Sequence, residues 1–80
     1  MLNSRVRLIT FNGSVEGPSD CHPEENYWLL IGQIGKVISL PNDRSRVLVE
    51  FELPVESLGI HCHNPIKNSL FILESDLQMV

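Results

Sequence analysis

Val47, Val49, Phe51 and Leu53 fall at every second position of residues 46–53, and Arg46, Glu50 and Glu52 fall between them. A two-residue period of this kind predicts a strand with one face in a core and the other in water. Val47, Val49 and Phe51 are therefore expected to be core residues, with Glu50 and Glu52 exposed and Val37 and Ile72 packed against the first three. Upstream lies the run Gly32-Gln33-Ile34-Gly35-Lys36-Val37-Ile38-Ser39-Leu40, whose two glycines permit a sharp bend or bulge in the partner strand. Pro41-Asn42-Asp43-Arg44-Ser45, between the two, has the composition of a hairpin turn.

The same reading extends over the rest of the chain. Residues 5–11 predict a first strand with Val6 and Leu8 on one face. Residues 12–26 predict a loop, because Asn12-Gly13, Gly17-Pro18 and His22-Pro23 punctuate it and nothing in it is periodic. Loops of this length in compact domains are usually functional or mobile. Residues 27–40 read as one long second strand, apolar on both faces through Ile31. Pro54 ends pairing on at least one side. Leu58, Ile60 and Cys62 then alternate with Gly59, His61 and His63, which predicts a short fourth strand. Residues 64–68 read as a second turn. Residues 69–73 form a fifth strand, apolar on both faces. Glu74-Ser75-Asp76-Leu77 reads as a single helical turn, and residues 78–80 as a little more strand or a frayed end. No stretch keeps the helical period over two turns. The expected fold is all-β: one domain over residues 1–80, a small five-stranded, strongly bent barrel with one short helical turn near the C-terminus.

Composition adds an expectation about assembly. The chain is 42% hydrophobic and 20% charged, rich for 80 residues that can enclose only a modest core. A strand needs one apolar face for its core, so the second faces of residues 27–31 and 70–73 would stand in water. Self-association as a dimer or tetramer is expected to cover them, with Leu29, Leu30, Leu70 and Phe71 as candidate interface residues. No run reaches the ~18 apolar residues of a membrane helix, and residues 1–7 lack the apolar stretch of a signal peptide. The expected location is the cytoplasm of a bacterium, with both cysteines reduced.

Charge narrows the partners. The net charge of −4 argues against a general nucleic-acid binder, which needs a basic face for phosphates. The whole excess sits in residues 12–26, where Glu16, Asp20, Glu24 and Glu25 occur with no Lys or Arg, and the remainder is balanced. Such a loop serves either as a docking surface for a basic partner or as a solvated segment that keeps an apolar chain soluble. Tyr27 and Trp28 close the loop. If both lay on a strand, one would face the core and one would be left as a ligand platform. Glu16, Asp20, Glu24, Glu25, Tyr27 and Trp28 are the candidate partner-binding residues.

The order strand, long loop, strand with Gly-x-x-Gly-x-Val, hairpin, Val-x-Val-x-Phe, short strand, strand and helical turn resembles the SH3-like barrel. The pieces Gly32-Gln-Ile-Gly-Lys-Val-Ile38 and Arg46-Val-Leu-Val-Glu-Phe51 are similar to the hairpin of KOW-type domains. In length and order the chain also resembles the type II dihydrofolate reductases, small SH3-like chains that assemble as tetramers around a central pore, and, more loosely, orphan proteins of mobile gene cassettes. The reductases carry Val-Gln-Ile-Tyr on the pore strand. The matching segment is Ser69-Leu70-Phe71-Ile72, with neither the Gln nor the Tyr. The resemblance implies a fold and leaves the activity open between a non-catalytic binding module, a pore-type reductase and a small acidic inhibitor or immunity-type protein that masks a basic target.

One further cluster could carry chemistry. On a strand, His61 and His63 would point the same way with Cα atoms ~6.5 Å apart, a separation from which two imidazoles can share a zinc ion. His22 or Cys21 of the acidic loop could add a third ligand, and Glu24 or Glu25 a fourth. The ordinary alternative makes Cys62 a small buried hydrophobe in line with Leu58 and Ile60, with both histidines on the wet face. No Cys-x-x-Cys spacing supports the metal. Neither cysteine context shows the features that activate a nucleophilic thiol. None of these patterns implies a cofactor.

Overall fold

The computed structural model describes residues 2–62 and 64–80. Five strands form one antiparallel sheet: β1 (Arg5–Leu8), β2 (Ile34–Val37), β3 (Arg46–Phe51), β4 (Ser69–Leu73) and β5 (Leu77–Met79). Their order is β4-β3-β2-β1-β5, so β4 and β5 are the edges. The helical content of the described residues is four short 3₁₀ turns, Pro23–Glu25, Tyr27–Leu30, Val55–Leu58 and Glu74–Asp76. The chain is therefore all-β, as the two-residue pattern predicts. No helix among the described residues is long and apolar enough to cross a membrane.

The alternation in β3 does what its sequence implies. Val47 and Val49 are fully buried, Phe51 nearly so, and Glu50 and Glu52 are exposed. Val37 and Ile72, both fully buried, join them in the core with Val6, Leu8 and Leu30. Gly35 lies opposite Phe51 in the β2–β3 register. A Cβ there would stand 2.6 Å from Val49 Cγ1 and 2.8 Å from the Glu50 carbonyl oxygen. Gly35 thus lets β2 and β3 pack at a distance that no side chain would allow.

One expected strand is absent and another is shorter than expected. Residues 27–31 do not begin β2: Tyr27–Leu30 is a 3₁₀ turn, and Gly32 at φ 94° turns the chain into the strand. Five consecutive apolar residues carry no period, so the run fits a buried turn as well as a two-faced strand. Residues 58–62 form no strand either. Val55–Leu58 is a 3₁₀ turn that ends at Gly59, whose φ of 76° breaks an extended path. The inward set survives without the ladder: Ile60 is fully buried, and Leu58 and Cys62 pack against the core. The count of five is met by β5, which pairs with β1 after the expected helical turn at Glu74–Asp76.

Candidate functional site

The segment between β1 and β2 begins with a tight reversal. Phe11 and Ser14 exchange backbone hydrogen bonds of 2.9 and 3.2 Å. Asn12 and Gly13 between them have φ of 52° and 79°. Two successive residues with positive φ define a type I′ turn, for which Asn-Gly is the preferred pair. The fully buried carboxylate of Asp76 holds this turn. It accepts hydrogen bonds from the Thr10 hydroxyl at 2.6 Å, the Asn12 N–H at 2.9 Å and the Gly13 N–H at 3.0 Å. The Arg46 guanidinium fastens the same turn to the sheet, donating to Asn12 Oδ1 at 2.7 Å and to the Phe71 carbonyl at 3.3 Å.

Beyond the turn the loop folds back over three aromatic rings. The Phe11 ring lies 5.0 Å from that of Trp28, edge to face at 78°, and 5.4 Å from that of Tyr27 at 46°. The first is a favoured geometry for an aromatic pair, and the second is tilted between stacked and edge-to-face. Gly17 rests on the indole so closely that a Cβ there would come within 2.8 Å of Trp28 Cε3. The Tyr27 hydroxyl donates to the His61 carbonyl at 3.1 Å, and the His61 N–H donates to the Glu24 carbonyl at 2.9 Å. The segment after Val55–Leu58 is thereby tied to the loop. The indole Nε1–H of Trp28 is buried and has no acceptor among the described residues.

Together these elements enclose an open groove of about 330 Å³. Phe11, Tyr27 and Trp28 are its aromatic lining, and Asp20, Glu25, His22 and Cys21 contribute polar groups around them. Of the candidate partner-binding residues, Asp20, Glu25, Tyr27 and Trp28 come together here, while Glu16 and Glu24 are exposed outside the lining. Tyr27 and Trp28 both line the groove, against the expectation that one would be lost to the core. That expectation assumed a strand, and a 3₁₀ turn directs neighbouring side chains differently. Phe11 and Asp76 were not singled out by sequence reasoning. Phe11 ends an ordinary apolar stretch, and Asp76 resembles a solvated residue of a polar turn.

Burial raises the Tyr27 phenol above its ordinary 10.0, and the nearby Glu25, Cys62 and Cys21 act in the same direction. The folded state therefore favours the neutral phenol. The resulting stability is complete below the unfolded value and is lost as pH rises through the folded one. Phenolate absorbance should accordingly show Tyr27, the single tyrosine, titrating above the free amino acid. Urea should shift it back, and a native titration at or below pH ~10 would contradict the burial.

The remaining candidates are dispersed. Cys62 donates its thiol to the Ser69 carbonyl at 2.7 Å, and both cysteines are free thiols. Among the described residues no three His, Cys, Asp or Glu side chains converge as a metal site. His22 is at the groove, His61 is tied through its backbone to Glu24, and His63 lies outside the described residues. Of the candidate interface residues, Leu30 and Leu70 belong to the chain's own core, whereas Leu29 and Phe71 are exposed. Comparison with protein-family models, with curated proteins and with solved structures finds no significant match.

Proposed function

We propose that this chain is a non-catalytic binding module of SH3-like architecture, working as a homo-oligomer, whose groove takes a cationic segment of a basic partner. The observation that carries this reading is the pairing of three aromatic rings with Asp20 and Glu25 in one open groove. An Arg or Lys side chain can stack its cation on an aromatic face while donating to carboxylates, a combination that neither an anion nor an apolar ligand satisfies. The loop contributes four acids and no base, so its field attracts cations over a longer range. The strand order β4-β3-β2-β1-β5, with a 3₁₀ turn before β5, supports the architecture. A reductase of the type II kind would need Gln and Tyr where β4 carries Leu70 and Ile72, both turned into the core.

Trp28 is the single tryptophan, so intrinsic fluorescence reports on the groove alone. Titration with a short Arg- and Lys-containing peptide is expected to change Trp28 emission in a saturable way that weakens with salt. The double change Asp20→Asn with Glu25→Gln is expected to weaken binding about tenfold or more, equivalent to about 1.4 kcal/mol. An equal response to an acidic peptide of the same length, or no response at millimolar peptide, would remove the reading.

A further inference from the structure

Asn12-Gly13 is the one place in the chain where asparagine precedes glycine. The pair carries a latent reaction. The backbone nitrogen of the second residue can attack the side-chain carboxamide carbon of the first, and glycine presents that nitrogen with no side chain to crowd it. The preference of a type I′ turn for Asn-Gly thus also sets the chain's most reactive asparagine on the groove, whose lining includes Asn12. Both reacting groups are held. The Gly13 N–H donates to Asp76 Oδ1 at 3.0 Å, and Asn12 Oδ1 accepts from the Arg46 guanidinium at 2.7 Å. The Asn12 N–H is fixed to the other Asp76 oxygen at 2.9 Å, and the Phe11–Ser14 backbone pair closes the turn around them.

We propose that Asn12 is a site of spontaneous covalent modification, kept silent by Asp76 and released when the turn opens. In the reaction the Gly13 nitrogen forms a bond to Asn12 Cγ, the bond from Cγ to the carboxamide nitrogen breaks, and the proton of the Gly13 N–H leaves with that nitrogen as ammonia. Water then opens the cyclic imide at one carbonyl or the other, giving aspartate or isoaspartate. No oxidant, reductant or cofactor enters. Asp76 controls the first step because it acts on the attacking atom. Its carboxylate occupies the N–H, and its negative charge opposes the amide anion through which the nitrogen attacks. Asp76 is fully buried, so this bond is shielded from water while the turn is closed. The Arg46 bond is a second restraint, on the carboxamide itself. Isoaspartate would not rebuild the turn. It carries the backbone through the side-chain methylene, which displaces the Gly13 N–H from its acceptor, and it adds a carboxylate beside that of Asp76 in a chain already at −4.

Prolonged incubation of the whole chain at neutral pH tests the assignment, with products located by peptide mapping and mass spectrometry. The folded chain is expected to react at Asn12 at least about tenfold more slowly than the same chain unfolded in urea, because a reaction confined to the open turn scales with the population of that state. Asp76→Ala should recover most of the unfolded rate while circular dichroism still reports a folded sheet. Asp76→Asn, which keeps the shape without the charge, is expected to fall between the two and serves if the alanine variant fails to fold. The isoaspartate form, separated from the parent by chromatography, should have lost the slow amide exchange of Gly13. A folded parent that reacts as fast as the chain in urea would overturn the proposal. So would folded Asp76 variants that stay as slow as the parent, or a product that forms first at another asparagine. An isoaspartate form with parental exchange at Gly13 would overturn the account of the product.

Discussion

Phe51→Ala is expected to destabilise the fold by about 3–5 kcal/mol, the range for removing a buried Phe from a core that cannot fully collapse around the gap. Phe51 is 3% exposed and lies among the fully buried Val49, Val55 and Ile60. Its place depends on Gly35, directly across the β2–β3 pair, where a side chain would collide with the neighbouring strand. A domain of this size has a total stability on the order of 4–12 kcal/mol. The substitution should therefore lower the thermal midpoint by roughly 12 °C or more, since 1 kcal/mol is worth about 4–8 °C here. Thermal unfolding followed by circular dichroism measures it. An unchanged midpoint would mean that β3 does not turn this face inward.

The two-residue period of β3 is local, and local physics was enough to read it. Alternate side chains of an extended chain must point to opposite faces, so Val47, Val49 and Phe51 could be assigned to the core before any partner strand was known. Residue type alone also marked a bend at the two glycines, expected inside a strand and found at Gly32 just before β2, and the helical turn at Glu74–Asp76. Where the pattern lost its period, so did the reading. Residues 27–31 are apolar at every position, and nothing local distinguishes a two-faced strand from a turn with Leu30 in the core and Leu29 in water. Residues 58–62 alternate and do point Ile60 inward, yet pairing needs a neighbour with free backbone groups. There the segment is tied to the loop by the His61–Glu24 backbone bond and by the Tyr27 hydroxyl on the His61 carbonyl, neither of which builds a ladder.

The groove was half legible. Asp20, Glu25, Tyr27 and Trp28 announce themselves by type and position beside a loop with no compensating base. Phe11 was hidden because one more apolar residue at a strand end carries no signal. Glu16 and Glu24 share the composition that marks the loop, but the path of the backbone places them elsewhere.

Asp76 was the least legible residue, because its partners lie more than sixty positions away, and it carries the second large expected effect. Asp76→Ala should cost about 3 kcal/mol or more. The change leaves the Thr10 hydroxyl and the N–H groups of Asn12 and Gly13 without their acceptor, and bonds to a charged group are worth about 1.5–3 kcal/mol each without adding fully. The Asn12-Gly13 turn has no other described acceptor for these N–H groups, so it should loosen ahead of the sheet. Amide exchange at Asn12 and Gly13 is then expected to rise far more than at Val47 or Val49. Trp28 emission should shift to the red as Gly17 lifts from the indole. Asp76→Asn keeps the shape and one acceptor oxygen but turns an amide donor toward a donor, so its loss should fall between Ala and wild type. If Asn12 and Gly13 in Asp76→Ala exchange as slowly as in the parent, the carboxylate does not hold the loop. The groove would then owe its shape to the Arg46 bridge and the aromatic stack.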